Sequence, residues 1–155
     1  MKRRAQSLIA FAIFAILLAI PIRANADAVS DWNAIAMQTV TAAVPAHPIP
    51  VQFVDMALVQ IAVYDAVQAI DRRYKPYQVE IPGASGSPSA AAAKAAHDML
   101  VHLFPAQSMT LDNTYNQYLI DHGLSPSDPG VTVGQTAAAG IIALRANDGR
   151  FPPNQ

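Results

Sequence analysis

The feature that most constrains the fold is a stretch of about 20 residues, 51–70, whose apolar side chains are spread around the whole helical wheel. A helix that is apolar on every side is buried at the centre of its fold, and about 20 residues of helix are close to 30 Å long. We therefore expect a central helix with neighbours on all sides. Four short companion helices are few for this task, so the pattern also predicts a missing segment or a partner.

The first 26 residues have the pattern of a secretory signal peptide. Lys2, Arg3 and Arg4 form a basic start, residues 7–22 are apolar, and Ala24-Asn25-Ala26 is a small-residue cleavage signal. The apolar run is about 15 residues, shorter than the roughly 20 that cross a bilayer. We expect cleavage after Ala26 and a secreted or periplasmic domain with no stable membrane anchor. An uncleaved N-terminal anchor is the alternative.

The charge that remains after cleavage argues against nucleic-acid binding. Cleavage removes four of the ten basic residues and leaves six against 11 acidic ones, a net charge of −5. Phosphate contacts need clustered Lys and Arg, and the one cluster, Arg72, Arg73 and Lys75, is typical of a solvated loop. The chain has no cysteine, which excludes disulfides and metal thiolates.

Residues 27–149 are predicted to form an all-α bundle of about five helices, because no segment alternates with the period of a strand. The predicted helices are 29–43, 51–70, 88–104, 111–122 and 129–146.

Local signals mark several helix ends. Asp31 or Ser30 is the expected cap of the first helix, and Ser87 and Asp128, each followed by proline, are the expected caps of the third and fifth. Gly123 is expected to end the fourth helix. The small residues of the fifth helix predict a close approach of another helix; they are Gly134, Ala137, Ala138 and Gly140.

No motif for catalysis or for binding a metal or cofactor is present. The histidines, at positions 47, 97, 102 and 122, include no pair with the spacing of a helical zinc site. Asp98 and His102 are four residues apart and are expected to form a helix-surface pair. There is no phosphate-binding glycine loop and no nucleophile elbow. The sequence therefore predicts no catalytic, cofactor-binding or metal-binding residue.

Asp65 is the one carboxylate that invites a functional interpretation, because it lies among Ala, Val and Tyr near the end of the long helix. An unpaired carboxylate is costly in such surroundings. We expect it to be partly buried and structural, accepting hydrogen bonds from backbone or side-chain donors on a neighbouring segment. The candidate donors are Trp32, Tyr74 and Arg145. The alternative is a small hydrolase that uses Asp65 and a histidine.

Several motifs, in order, carry a resemblance to a known family. Trp32-Asn33 opens the first helix, and Tyr64-Asp65-Ala66-Val67-Gln68-Ala69-Ile70-Asp71 closes the second. The later motifs are Pro76-Tyr77, the alanine-rich run 90–97, Leu103-Phe104-Pro105, Leu111-Asp112 with Tyr115, and the stretch from Val133-Gly134 to Ala143-Leu144-Arg145-Ala146-Asn147-Asp148-Gly149. In this series, which spans most of residues 27–149, the chain resembles the first helical half of the vanadium-dependent haloperoxidases. It also resembles their relatives in the type 2 phosphatidic acid phosphatase superfamily, which include bacterial acid phosphatases.

The resemblance implies a secreted or periplasmic protein of two helical bundles, in which the second bundle binds vanadate or phosphate. The family's oxyanion motifs are a lysine before Arg-Pro, a Pro-Ser-Gly-His, and an arginine followed by histidine, and none occurs in this sequence. Lys75-Pro76 does not match, because no Arg-Pro follows it. We therefore expect residues 27–149 to be the N-terminal domain of a truncated protein, with 150–155 as a linker cut short. Its role would be that of a non-catalytic scaffold packed against the missing C-terminal catalytic bundle.

A binding module is the alternative function. On this hypothesis the chain is a complete small secreted helical protein that binds a partner or associates with itself. Gly134, Ala138 and Ile141 would then form the contact face of a dimer.

Overall fold

The computed structural model describes residues 27–149, and within them the protein is all-helical, as predicted. The five helices are α1 (Ala28–Thr41), α2 (Ile49–Asp71), α3 (Pro88–Leu103), α4 (Ser108–Asp121) and α5 (Pro129–Arg145), with a short 3₁₀ turn at Pro105–Gln107. The predicted signal peptide and linker, residues 1–26 and 150–155, lie outside the described residues.

The predicted N-terminal caps of α3 and α5 and the predicted C-terminal stop of α4 are confirmed. The Ser87 hydroxyl accepts a hydrogen bond from the backbone N–H of Ala90 at 3.2 Å, and the Asp128 carboxylate accepts one from Gly130 at 2.7 Å. Gly123 has a φ of +62°, in the left-handed region that lets the chain leave α4. Short-range sequence signals were sufficient here because each cap satisfies donors or acceptors of its own helix.

Two predicted helix starts are wrong. The cap of α1 is Asp27, which accepts from the N–H of Val29, because the helix begins before Ser30 and leaves Asp31 inside its first turn. α4 begins at Ser108 and not at residue 111, because the 3₁₀ turn that starts at Pro105 continues directly into the helix.

The centre of the bundle is α3, and not the long apolar helix. α3 packs against each of the other four helices. Its alanines at positions 90–93, 95 and 96 are almost completely buried, and such small side chains let neighbouring backbones come close. α5 approaches most closely, since a Cβ added to Gly134 would contact the carbonyl oxygen of Ala91 and lie 2.9 Å from the backbone nitrogen of Ala95.

α2 is embedded on one side only, so the prediction that it has neighbours on all sides is wrong. Its inner face is completely or almost completely buried and consists of Asp55, Leu58, Val59, Ala62, Val63, Asp65 and Ala66. The opposite face carries Ile49, Phe53, Ala57 and Tyr64, which we call the outward stripe. Phe53 is 72% exposed and Ile49 is 68% exposed. Since α3 already fills the centre, α2 lies at the side of the bundle.

α2 is also the one helix in the described part of the chain that is long and apolar enough to cross a membrane, with a mean hydropathy of 1.5. Length and composition alone are weak support for a membrane span, because the core helix of a soluble protein passes the same test. Asp55 and Asp65 are both completely buried on its inner face. This burial is that of a helix packed in a protein bundle.

Substituting Gly134→Ala tests the close contact between α3 and α5. The added methyl group meets backbone atoms of α3, which cannot move aside as a flexible side chain would. We expect the free energy of unfolding, measured with urea, to fall by about 2 kcal/mol, since overpacking outweighs the gain in helix propensity. Ala139→Ser, at an exposed position of the same helix, is the control and should change it by less than about 0.5 kcal/mol. Equal stability of the two variants would contradict the contact.

Candidate functional site

Asp65 is a buried anchor for the segment that follows α2. Its side chain is completely buried, and its oxygens accept hydrogen bonds from the backbone N–H groups of Tyr77, Gln78 (3.1 Å) and Val79 (2.9 Å). A carboxylate that accepts three amide hydrogen bonds is well compensated for its burial. The predicted structural role, with donors on a neighbouring segment, is therefore confirmed, although Asp65 is fully and not partly buried.

The three donors named for Asp65 from the sequence are wrong. Trp32 contacts residues of α3 and α4, the N–H of Tyr74 donates to the Gln68 side chain, and Arg145 pairs with Asp148 at 2.6 Å. The donors are backbone amides, one of the two kinds expected, because the chain turns back over α2 after Pro76. Among the described residues, no histidine is hydrogen-bonded to Asp65, whose oxygens accept from three backbone amides.

The most concentrated group of polar side chains surrounds His97, on α3. The ring is nearly buried, with Nδ1 2.8 Å from the Asp98 carboxylate and Nε2 2.8 Å from the Asp112 carboxylate on α4. Lys94 lies 2.7 Å from Asp98, one helical turn away. The predicted pair of Asp98 with His102 is wrong, because Asp98 contacts Lys94 and His97 while His102 is exposed.

Aromatic rings enclose His97. Its ring lies 4.7 Å from that of Tyr115 and 6.4 Å from that of Trp32, centroid to centroid. The indole N–H of Trp32 and the hydroxyl of Tyr115 are buried and have no hydrogen-bond partner among the described residues. We call Trp32, His97, Tyr115 and Tyr118 the aromatic cluster.

The cluster changes the acidity of its members. Burial works to raise the pKa of Asp98, but hydrogen bonds from His97 and Lys94 outweigh it, and the pKa falls below its usual 3.8. Burial, helped by the charge of Asp98, raises the pKa of Tyr115 to about 12. Burial and the neighbouring Asp31 carboxylate also raise the pKa of Tyr118. Both phenols therefore remain neutral at ordinary pH.

A second imidazole–carboxylate contact lies at the far end of α4. His122 Nε2 is 3.7 Å from the Asp31 carboxylate of α1, and its Nδ1 is 2.9 Å from the backbone oxygen of Tyr118. The Tyr118 hydroxyl donates to the same carboxylate at 3.2 Å. α4 is therefore tied to α3 near its start and to α1 at its end.

A third such contact joins His47 to the completely buried Asp55, with Nδ1 2.8 Å from a carboxylate oxygen. The imidazole is a quarter exposed and stacks on Phe104 at 5.2 Å. A carboxylate on Nδ1 orients the ring as in acid–base catalysis. The pair ties the loop before α2 to the inner face of that helix.

Two concave surfaces accompany these groups. A groove of about 740 Å³ runs along α2, with Tyr64, Val67 and Tyr77 among its mainly apolar lining residues. A pocket of about 300 Å³ lies at the C-terminal ends of α3 and α5, where Arg145 and His102 join apolar walls. The last carbonyl groups of the two helices carry partial negative charge. Together with Asp148 they offset the charge of Arg145, so the pocket does not favour an oxyanion.

The residues predicted to form a dimer face are not on the surface of the protein. Gly134, Ala138 and Ile141 are buried, the last two at 0% and 1% exposure, because this side of α5 packs inside the chain. The prediction that its small residues allow close helix packing is confirmed, but the partner is α3. Among residues 27–149, no three His, Asp or Glu side chains are grouped as metal ligands.

Comparison of the chain with protein-family models, with characterised proteins and with solved structures finds no match. The family resemblance therefore depends on the motifs of the sequence itself.

Sequence reasoning missed the cluster around His97. His97 and Asp112 are 15 residues apart and lie on different helices, so no helical spacing connects them. The available signal was composition: His97 is a polar residue inside an alanine-rich run, and such a residue needs a partner when its helix is buried.

Substituting Asp65→Asn tests the anchor. The amide has one acceptor oxygen and no charge, so at least one of the three backbone N–H groups loses its charge-assisted hydrogen bond. We expect the free energy of unfolding to fall by about 2 kcal/mol, measured by urea denaturation followed by circular dichroism. Asp71→Asn, at an exposed position at the end of the same helix, should leave it nearly unchanged. If both variants behave alike, the hydrogen bonds to Asp65 do not stabilise the fold.

Proposed function

We propose that residues 27–149 form a non-catalytic helical scaffold of a secreted or periplasmic haloperoxidase-like or acid-phosphatase-like protein. The outward stripe of α2 is the observation that carries this proposal. In it, Ile49 and Phe53 are mostly exposed, and Tyr64 leaves part of its ring uncovered. The proposed occupant is the C-terminal catalytic helical bundle of the same protein.

The dimensions of the stripe suit a helix as its occupant. From Ile49 to Tyr64 it runs for about four helical turns, close to 22 Å. Complete burial of a side chain of the size of Phe or Ile contributes about 1.5–3 kcal/mol. Two or three such residues are enough to hold a domain that is already joined by covalent linkage.

The catalytic chemistry is assigned to the proposed partner. In the family that this chain resembles, cations of the second bundle neutralise the vanadate or phosphate, and one of its histidines bonds to it. In residues 27–149, the histidines at positions 47, 97 and 122 each contact a carboxylate. Histidines that already contact carboxylates within the bundle support a structural role for this domain.

The first test is the nucleotide sequence downstream of the Gln155 codon in the source genome. The expected result is an open frame that continues into Lys…Arg-Pro, then Pro-Ser-Gly-His, then Arg…His. A frame that continues without these motifs would remove the haloperoxidase and phosphatase assignment. A stop codon directly after Gln155 would instead favour the alternative of a small binding or self-association module.

The second test concerns the stripe and uses residues 27–155, the chain expected after export. We expect Phe53→Ser to reduce the binding of a dye that fluoresces on apolar surfaces, and to change the free energy of unfolding by less than about 0.5 kcal/mol, because Phe53 is exposed. Met109→Ser is the matched control, since Met109 is 78% exposed but lies on α4. If the two variants lower dye binding equally, the stripe is not a distinct surface.

Light scattering on the same samples separates the two occupants. A monomer that binds dye supports a scaffold whose partner is another domain. A dimer that Phe53→Ser dissociates, while Met109→Ser does not, would show that a second copy covers the stripe and would contradict the scaffold proposal.

A further inference from the structure

We infer that α4 is a pH-sensitive element, docked against α1 and α3 by protonated histidines and released as these histidines lose their protons. The two contacts described above, His97 with Asp112 and Asp31 with His122, carry this inference. It does not rest on the proposed function, because it concerns groups of α1, α3 and α4 and not the outward stripe of α2.

The first contact requires two protons on one ring. Both nitrogens of His97 lie 2.8 Å from carboxylate oxygens, on Asp98 and on Asp112. A neutral imidazole has one N–H and one lone pair. With a neutral ring, one of the two contacts would therefore set a lone pair against a carboxylate oxygen, which is repulsive. The link from α3 to α4 is complete only when the ring is an imidazolium.

The second contact follows the same logic. Nδ1 of His122 lies 2.9 Å from the backbone oxygen of Tyr118, which can only accept a hydrogen bond, so Nδ1 carries a proton. The neutral ring then has a bare Nε2, and this atom faces the Asp31 carboxylate at 3.7 Å. Attraction between His122 and Asp31 again needs the second proton.

The other charged and titratable groups around these rings do not replace that attraction. They are Lys94 and Asp98 on α3, Asp27 and Asp31 at the start of α1, and Asp112, Tyr115 and Tyr118 on α4. Lys94 is 2.7 Å from Asp98 and cannot also neutralise Asp112 on the far side of the ring. The phenols of Tyr115 and Tyr118 stay neutral at ordinary pH, because burial raises the pKa of each.

α4 is the helix for which such contacts matter most. It packs against α3 and the adjoining 3₁₀ turn, whereas α2 and α5 each pack closely on α3 and on one another. Elements with few packed neighbours open locally at lower free-energy cost than the whole fold. Besides the buried side chains of Leu111, Tyr115, Tyr118 and Leu119, the two charge-assisted contacts hold α4 in place.

The direction of the pH dependence follows from proton uptake. Docking keeps protons on His97 and His122, so it is favoured in acidic solution and weakens as the pH rises. At the acidic end, hydrogen bonds from His97 and Lys94 lower the pKa of Asp98 below 3.8 in spite of its burial. Its contribution is present above that value and is lost as the pH falls below it. Docking is thus strongest in mildly acidic solution.

Hydrogen exchange of the whole chain tests the inference. After correction for the intrinsic pH dependence of exchange, we expect the backbone amides of α4 to exchange about tenfold faster at about pH 8 than at about pH 5.5. The amides of α3 and α5 should keep the same protection at both values and serve as the internal reference. Equal protection of α4 at the two pH values would overturn the inference.

Substitutions test whether the His97–Asp112 and His122–Asp31 contacts cause the pH dependence of exchange in α4. Asp112→Asn changes a side chain that is 57% exposed, so the fold should persist, and together with His122→Gln it should abolish the pH dependence of exchange in α4. His102→Gln is the matched control, because His102 is an exposed histidine on α3; this variant should retain the dependence. A dependence that survives in the Asp112→Asn/His122→Gln double variant would overturn the inference.

Trp32 gives an independent measurement, since it is the one tryptophan of the chain and is completely buried against Tyr118 and His97. Loss of a proton from His97 can change the intensity of Trp32 emission without any movement. Quenching by acrylamide reports access, and we expect it to increase severalfold between about pH 5.5 and about pH 8 in the unmodified chain. A change in intensity with constant quenching would show titration without release of α4.

Discussion

The rest of the fold depends on the direct backbone contact between α3 and α5. Gly134 has no room for a side chain beside Ala91 and Ala95, and the Asp128 carboxylate accepts hydrogen bonds from both Ser87 and Gly130, so one side chain ties the starts of both helices. With the two backbones this close, α3 occupies the centre. The longer and more apolar α2 must then take a place at the side, and its second face remains uncovered.

Buried carboxylates decide which face of α2 is turned outwards. The helix is apolar nearly all round, so hydrophobicity alone would leave its rotation poorly defined. Asp65 meets three backbone N–H groups and Asp55 meets His47, both on the inner side. Rotation that buried Phe53 would break these hydrogen bonds, at a cost larger than the gain from one aromatic ring. The exposure of the outward stripe is thus a consequence of polar pairing.

Local and distant constraints differ in how far the sequence reveals them. The caps Ser87 and Asp128 and the terminating Gly123 were predictable, because the capping contact of each lies within its own helix end. The central position of α3 was not, since a thin alanine helix becomes central only through the glycines of a helix about 40 residues later. The candidate sites divide in the same way. Burial of Asp65 followed from its apolar neighbours, whereas its donors and the partners of His97 depend on the tertiary fold.

The outward stripe and the contacts of α4 depend on different forces, so their responses to pH distinguish them. The outward stripe is apolar, so its affinity for a dye or a partner should depend little on pH. α4 is docked by imidazolium–carboxylate contacts, and its release would expose the aromatic cluster as new apolar surface. Dye binding that increases at alkaline pH would therefore report on α4 and not on the stripe. A comparison of Phe53→Ser with the unmodified chain tests the stripe cleanly only in mildly acidic solution, where α4 covers Trp32.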